Sequence, residues 1–434
     1  MFRTCQIGFF VTAALSIFIG KAIWAQDEGG KQESQALRAG AEEAADSSDV
    51  VHWNIVALQT TRAAAFNPLR ETRALALVSA AIFDAVNSIT RRYEPYAVRV
   101  PARNMDSTEA ATHAAAHDVL VALYPDMKAA LDAEYDARLA AVPNGTAKSN
   151  GIDTGRAVAA ALVALRSFDH ANDKSEYQPG ASPGAWRPTP PASAAALEPG
   201  WGNVTPFFLA AGSQFRPGPP PALGSPTYNA DLNEIASLGV QTNSRRTPAQ
   251  TEAAQFWIST APQLWNQAAQ QLAVTRRLGA SDTSYAFLLL NAAGADAMIA
   301  AWDSKYTYNQ WRPVTAIRAQ LPDPTWTPLI NTPPFPDYIA GHTAYAGAAE
   351  AALEQLFGGR PGSFSLTSAT ANGARHTYES FKEVGDEVVN ARVWGGVHWR
   401  TSSTAGRTIG NRVGRYALHH APRHRGASRE RFTN

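Results

Sequence analysis

Cysteine is all but missing: there is one in 434 residues, Cys5, and it lies in an apolar N-terminal segment. A chain so poor in thiols offers no disulfide framework, no cysteine nucleophile and no iron–sulfur cluster. An excess of either charge is missing too. Lys and Arg number 38 against 37 Asp and Glu, a formal net charge of +1, which leaves no large field to displace counterions from nucleic acid, so the expected partner is small. Alternating β-branched segments of the kind that build sheets do not recur, which removes the β classes apart from short loop hairpins.

What is present is alanine and leucine at helical spacing. ALALVSAAIFDAVNSI, AATHAAAHDVLVALYPDM, RAVAAALVALRSF and SYAFLLLNAAGADAMIAAW recur between Pro, Gly and Asn breaks, and that periodicity predicts an all-α protein. At the N-terminus, Arg3 precedes an apolar run from Ile7 to Ile19, followed by the small residues Ala22 and Ala25. This run is short for a bilayer span and predicts either a signal peptide over residues 1–25, with a secreted or periplasmic product and no stable membrane span after processing, or an uncleaved membrane anchor. Residues 26–49 are small, polar and acidic and are expected to form a flexible leader. A helical region is expected over 50–176, a crossover over 177–226, a second helical region over 227–418 and a solvated basic tail over 419–434. The crossover is rich in Pro and Gly, but it also holds Trp186, Trp201, Phe207, Phe208 and Phe215. That is too much aromatic surface for a free tether, so it should be ordered and packed on the helices.

The chemistry gathers in three downstream segments. KYTYNQWRP contains Lys305 and Arg312, PPFPDYIAGH contains Gly341 and His342, and ARVWGGVHWR contains Arg392 and His398. Residues seven apart return to nearly the same helix face, so Lys305 and Arg312 are expected to share one cavity. Gly341 opens a small-residue helix whose N-terminus presents free amides to an anion, and His342 stands where an imidazole can exchange a proton with bound oxygen. Arg392 and His398 are six apart, which a continuous helix would splay, but the Gly395–Gly396 pair lets the chain turn back. Three cations and two histidines suit a tetrahedral oxyanion. His113 and His117 have the i, i+4 spacing of a helical zinc site, but no third ligand accompanies them, and they read as packing or surface residues.

These three segments resemble the motifs of the superfamily shared by vanadium-dependent haloperoxidases and type 2 phosphatidic acid phosphatases. The chain is most similar to the soluble haloperoxidase branch through DAMIAAWDSKYTYNQWRP, TPPFPDYIAGH and GGVHWR. The resemblance spans roughly residues 286–406, with a weaker echo at FDAVNSI, and implies helical bundles of the haloperoxidase type. It implies that Lys305, Arg312, Arg392 and the Gly341 amide hold vanadate, with His398 as axial vanadium ligand and His342 as acid–base group. The implied substrates are hydrogen peroxide, a halide and a small organic acceptor. The same residues would serve a secreted acid phosphatase through a phospho-His398 intermediate on phosphate monoesters, or a noncatalytic oxyanion-binding relic. Three departures bear on this choice. Ala340 and Ala391 stand where the family commonly has serines, and Ser402 stands where it often has an aspartate supporting the last histidine, a role for which Asp337 or Glu383 is the candidate. Trp302 and Phe335 match an aromatic wall of fungal-type chloroperoxidases, or else simple core packing.

Overall fold

A computed structural model describes residues 48–426 apart from 65–66. The expected signal peptide with Cys5, nearly all of the leader, and the tail from residue 427 lie outside the described residues. Among the described residues thirteen α-helices carry the fold, in keeping with the all-α expectation. They are α1 (48–63), α2 (Pro68–Thr90), α3 (Thr108–Leu123), α4 (Lys128–Ala141), α5 (Thr146–Leu165), α6 (Pro226–Leu238), α7 (Pro248–Phe256), α8 (Ala261–Thr275), α9 (Ala280–Tyr308), α10 (Pro313–Gln320), α11 (Gly341–Phe357), α12 (Phe381–Trp394) and α13 (Arg400–His420). One antiparallel hairpin stands between α11 and α12, with β1 (Phe364–Ser368) pairing Phe364 opposite Tyr378 of β2 (Ala374–Tyr378).

Helices α2 and α9 form the spine. Both are apolar or small on nearly every face, which marks a helix surrounded by others. By length and composition each could cross a membrane, yet 94% of the apolar window of each is buried within the fold. Helix α2 is started by Asn67, whose side chain accepts from the N–H groups of Leu69 and Arg70, with Pro68 at the first helical position. Helix α9 ends at Asn309, whose left-handed backbone (φ 51°) closes its N–H onto the Lys305 carbonyl.

The crossover is ordered by α9. Asp296, wholly buried, accepts from the N–H groups of Phe207, Phe208 and Leu209. The Leu197 carbonyl takes both the Trp302 indole N–H (3.1 Å) and the Tyr306 hydroxyl (2.8 Å). Trp186 and Trp201 are buried in turn. The Pro/Gly composition therefore gives an irregular path, and α9 side chains bond the main-chain groups of Leu197, Phe207, Phe208 and Leu209 along it.

In the described part of the expected solvated tail, His419, His420, Arg423 and Arg425 are exposed while the main chain is hydrogen-bonded. Helix α13 runs on to His420, and residues 421–426 dock on the loop after α2. Glu94 N–H donates to the Arg423 carbonyl (2.8 Å), Arg425 N–H donates to that of Arg92 (2.7 Å), and the His424 ring meets Tyr93 edge-on. Main-chain pairing, which composition cannot signal, holds this stretch while its arginine side chains stay in solvent.

Helices α11 and α13 approach so closely that glycines are required at their crossing. A Cβ on Gly410 would overlap the Ala344 carbonyl, and one on Gly347 would overlap that of Arg407. Both obstacles are backbone. Gly410→Val is therefore expected to cost about 3 kcal/mol or more, read as a lower urea midpoint, because α11 must move from α13 and carry Gly341 with it.

Candidate functional site

Lys305 and Arg312 do come together, but not on one helical face. Helix α9 stops at Tyr308, and Arg312 is the extended residue (φ −80°, ψ 154°) that caps α10 just before Pro313. The intervening turn is clamped by the crossover: Trp186 N–H donates to the Asn309 carbonyl and Trp311 N–H to that of Gly184, both at 2.8 Å. A chain reversal, rather than the helical repeat, brings the second cation back beside the first.

Both cations hang on the segment before α11. Lys305 Nζ donates to the carbonyls of Pro336 (3.0 Å) and Asp337 (2.7 Å) and lies over the ring of Phe335, 4.9 Å from its centroid. Arg312 donates from Nε to the Phe335 carbonyl and from Nη1 to that of Val397, each at 2.7 Å. Trp302 packs against Phe335 at a centroid distance of 4.7 Å, so these two rings form the apolar backing of the cations. Arg392, near the end of α12, donates from Nη1 to the Trp257 carbonyl at 2.6 Å.

Past α12 the chain turns at Gly395 and at Gly396, whose φ of 77° favours glycine. This turn returns the chain onto Arg392, whose carbonyl accepts from Val397 N–H (3.3 Å), and it delivers His398 into the same pocket. Arg312 Nη1 lies 3.2 and 3.3 Å from the two ring nitrogens of His398. His342, at the second position of α11, meets the Ser259 carbonyl through Nε2 at 3.2 Å. Gly341 opens α11 after Ala340, which supplies no capping side chain. A Cβ on Gly341 would come within 3.3 Å of both Met298 Cε and Trp302 Cζ3, so glycine keeps this helix end open to a ligand.

The supporting carboxylate is Asp337. Its Oδ1 lies 3.2 Å from His398 Nδ1 and its Oδ2 3.7 Å from Arg312 Nη1, although neither oxygen has hydrogen-bond geometry. Glu383 is exposed in the first turn of α12, where it accepts from Glu379 N–H. Ser402, in the first turn of α13, donates at 3.2 Å to the Asp337 main-chain carbonyl, the same oxygen that takes Lys305.

The electrostatics are one-sided. Lys305, Arg312, Arg392, His398 and Asp337 are all buried, so two guanidiniums and an amine face a single carboxyl group. Burial, then the neighbouring Arg312, pushes Lys305 well below its ordinary pKa. Burial pushes Arg312 down to about 10 and Arg392 to about 9, and raises Asp337 to about 6. Both guanidiniums still carry charge at neutral pH. Burial lowers both histidines far below their usual range, reinforced by Arg312 at His398 and by Arg392 at His342, so both are neutral. Two buried donor atoms, Arg312 Nη2 and Arg392 Nε, have no partner. An unpaired buried donor is costly, and a multiply charged oxyanion would satisfy both the orphan donors and the surplus charge. The residues present therefore fit vanadate or phosphate.

A thermal prediction follows. Orthovanadate or phosphate should raise the melting temperature, gaining about 2.7 kcal/mol at a hundredfold excess over Kd, whereas chloride at equal ionic strength should not. Differential scanning calorimetry with each anion checks this.

The main-chain acceptors of the site, from Trp257, Ser259, Phe335, Pro336 and Val397, escape sequence reading because a carbonyl has no residue signature. His113 and His117 stay apart from this pocket. His113 Nδ1 accepts from the Trp53 indole N–H (2.8 Å), and His117 sits between Asp118 and Asp132. Among the described residues no group of three or more His, Cys, Asp or Glu could hold a metal ion.

Residues 285–427 match the family model described as the VCPO second helical-bundle domain. Over 284 residues the chain is 25% identical to the vanadium chloroperoxidase of Curvularia inaequalis, covering 49% of this chain and 47% of that one. It thus spans about half the length of that relative. Its structure is similar to a bacterial vanadium-dependent iodoperoxidase, with a TM-score of 0.79 and 25% identity, over 88% of this chain and 98% of the other. A bacterial vanadium-dependent chloroperoxidase in its holo form shares the fold at a TM-score of 0.70 and 18% identity, over 82% and 93% of the two chains.

Proposed function

The chain is a member of the vanadium haloperoxidase superfamily, and on that premise we propose that it oxidises halide with hydrogen peroxide at a vanadate held by Lys305, Arg312, Arg392, Gly341 and His398. The observation that carries this reading is the buried basic excess: two guanidiniums, one amine and one carboxyl group surround a neutral His398, and two guanidinium nitrogens have no partner among the described residues. When bound, vanadate would supply Lewis-acid polarisation of peroxide without changing its own oxidation state. The overall conversion takes peroxide, halide and a proton to hypohalous acid and water.

The protein's part is to bind, orient and move protons. Lys305, Arg312 and Arg392 offset the charge of the oxyanion in a pocket from which water is largely excluded. Asp337 beside His398 Nδ1 favours a proton on that nitrogen, which puts the lone pair on Nε2, where a ligand bond would replace the 3.2 Å contact with Arg312 Nη1. His342 donates its Nε2 proton to the Ser259 carbonyl, so Nδ1 is the atom through which it takes up and returns a proton. Asp337 stands in for the carboxylate that Ser402 does not provide, whereas the hydroxyls missing at Ala340 and Ala391 have no counterpart among the contacts described above.

One titration tests the assignment. Halogenation of a phenolic dye with peroxide and bromide or iodide should rise about a hundredfold or more when metal-free protein is given orthovanadate. Hydrolysis of p-nitrophenyl phosphate that vanadate inhibits, without halogenation, would instead establish the phosphatase. Phosphate binding with neither turnover would establish a noncatalytic oxyanion binder.

A further inference from the structure

The connection between α7 and α8, residues 257–260, sends no ionisable side chain into the pocket, yet two of its carbonyls hold pocket residues. Trp257 O takes Arg392 Nη1 at 2.6 Å, and Ser259 O takes His342 Nε2 at 3.2 Å. A carbonyl only accepts, so this contact places the His342 proton on Nε2. The loop lies outside the segment matched by the family model.

This loop is itself pinned from two sides. Ser368, buried at the end of β1, donates to the Phe256 carbonyl (2.7 Å) and lies 2.9 Å from the Ser259 hydroxyl. Thr370 Oγ1 lies 2.8 Å from the Ser368 hydroxyl, and accepts from Ser259 N–H at 3.2 Å. On the other side the Trp257 indole N–H donates to Glu387 Oε1 at 2.9 Å, an oxygen that also accepts from the Tyr378 hydroxyl at 2.8 Å. Glu387 and Arg392 belong to the same helix, α12. That helix therefore carries the cation and, through Glu387, fixes the carbonyl on which the cation rests.

We propose that Glu387 and Ser368 are positioning residues of the oxyanion site, acting through the 257–260 loop: Glu387 seats Arg392, and Ser368 fixes the orientation and tautomer of His342. This rests on the reading of Arg392 and His342 as oxyanion-site residues. Neither readout below requires turnover, so failure of the peroxidase assignment stays distinguishable from failure of this proposal.

The full-length chain and its variants would be compared by phosphate calorimetry and by imidazole ¹⁵N shifts of His342. Glu387→Ala is expected to weaken phosphate binding about tenfold. Glu387→Gln, which keeps an acceptor for the indole N–H, should bring affinity back to within about threefold of the parent chain. Ser368→Ala should leave phosphate affinity within about threefold but convert His342 from a single Nε2–H form to a mixture of tautomers. Folded Glu387→Ala and Ser368→Ala proteins with parental affinity and a single tautomer would overturn the proposal, even if both melt at lower temperature. Should Glu387→Ala fail to fold, an unchanged tautomer in Ser368→Ala suffices to overturn it.

Discussion

His398→Ala should lower vanadate-dependent halide oxidation by about a thousandfold or more while leaving a folded protein that still binds phosphate. The two halves of this result have different physical origins. His398 has a carboxylate 3.2 Å from one ring nitrogen, and alanine removes the lone pair that, on the proposed reading, this arrangement would offer to vanadium. The cations remain, and they supply the Coulombic attraction for an oxyanion. Phosphate affinity should therefore fall by less than about tenfold. Steady-state halogenation at saturating vanadate, paired with phosphate calorimetry on the same sample, checks both halves. A His398→Ala protein turning over within tenfold of the parent would remove His398 from its assigned role.

Arg392→Ala should separate binding from stability. Arg392 makes one protein hydrogen bond, to the Trp257 carbonyl, and leaves Nε unpartnered; the neighbouring Arg312 repels it. In the ligand-free protein its charge is a burden, so its loss should leave the melting temperature unchanged or raise it. On the proposed reading it would be one of three basic side chains on the anion, and its loss should weaken phosphate about a hundredfold, roughly 2.7 kcal/mol. Arg312 would not give so clean a separation. It also lies 3.7 Å from Asp337 and bonds two carbonyls, so removing it would leave a buried carboxylate without its nearest cation. A destabilised Arg392→Ala protein with parental phosphate affinity would show that this guanidinium is structural.

Much of the site was legible in the chain because its side chains lie in three compact motifs, and the alanine-rich helical period made the all-α fold legible too. Elsewhere three-dimensional events without a local signature decided the outcome. Lys305 and Arg312 meet because Asn309 takes a left-handed turn and Arg312 caps the next helix, not because seven residues complete two helical turns. Spacing could not choose between Asp337 and Glu383: Asp337 reaches His398 from the segment before α11, whereas Glu383 faces solvent on α12. The basic tail keeps its side chains in solvent, but the docking of residues 421–426 through main-chain groups has no signature in composition, because those groups are the same for a basic sequence as for any other. For the same reason the carbonyls of Trp257 and Ser259 could only be found in the folded protein.

The most direct measurement is a crystal structure of the protein grown with orthovanadate. Vanadate density bonded to a His398 ring nitrogen, and contacted by Lys305, Arg312 and Arg392, is the predicted result. Density elsewhere on the protein, with those three cations left uncontacted at saturating vanadate, would contradict the assignment of this pocket as an oxyanion site.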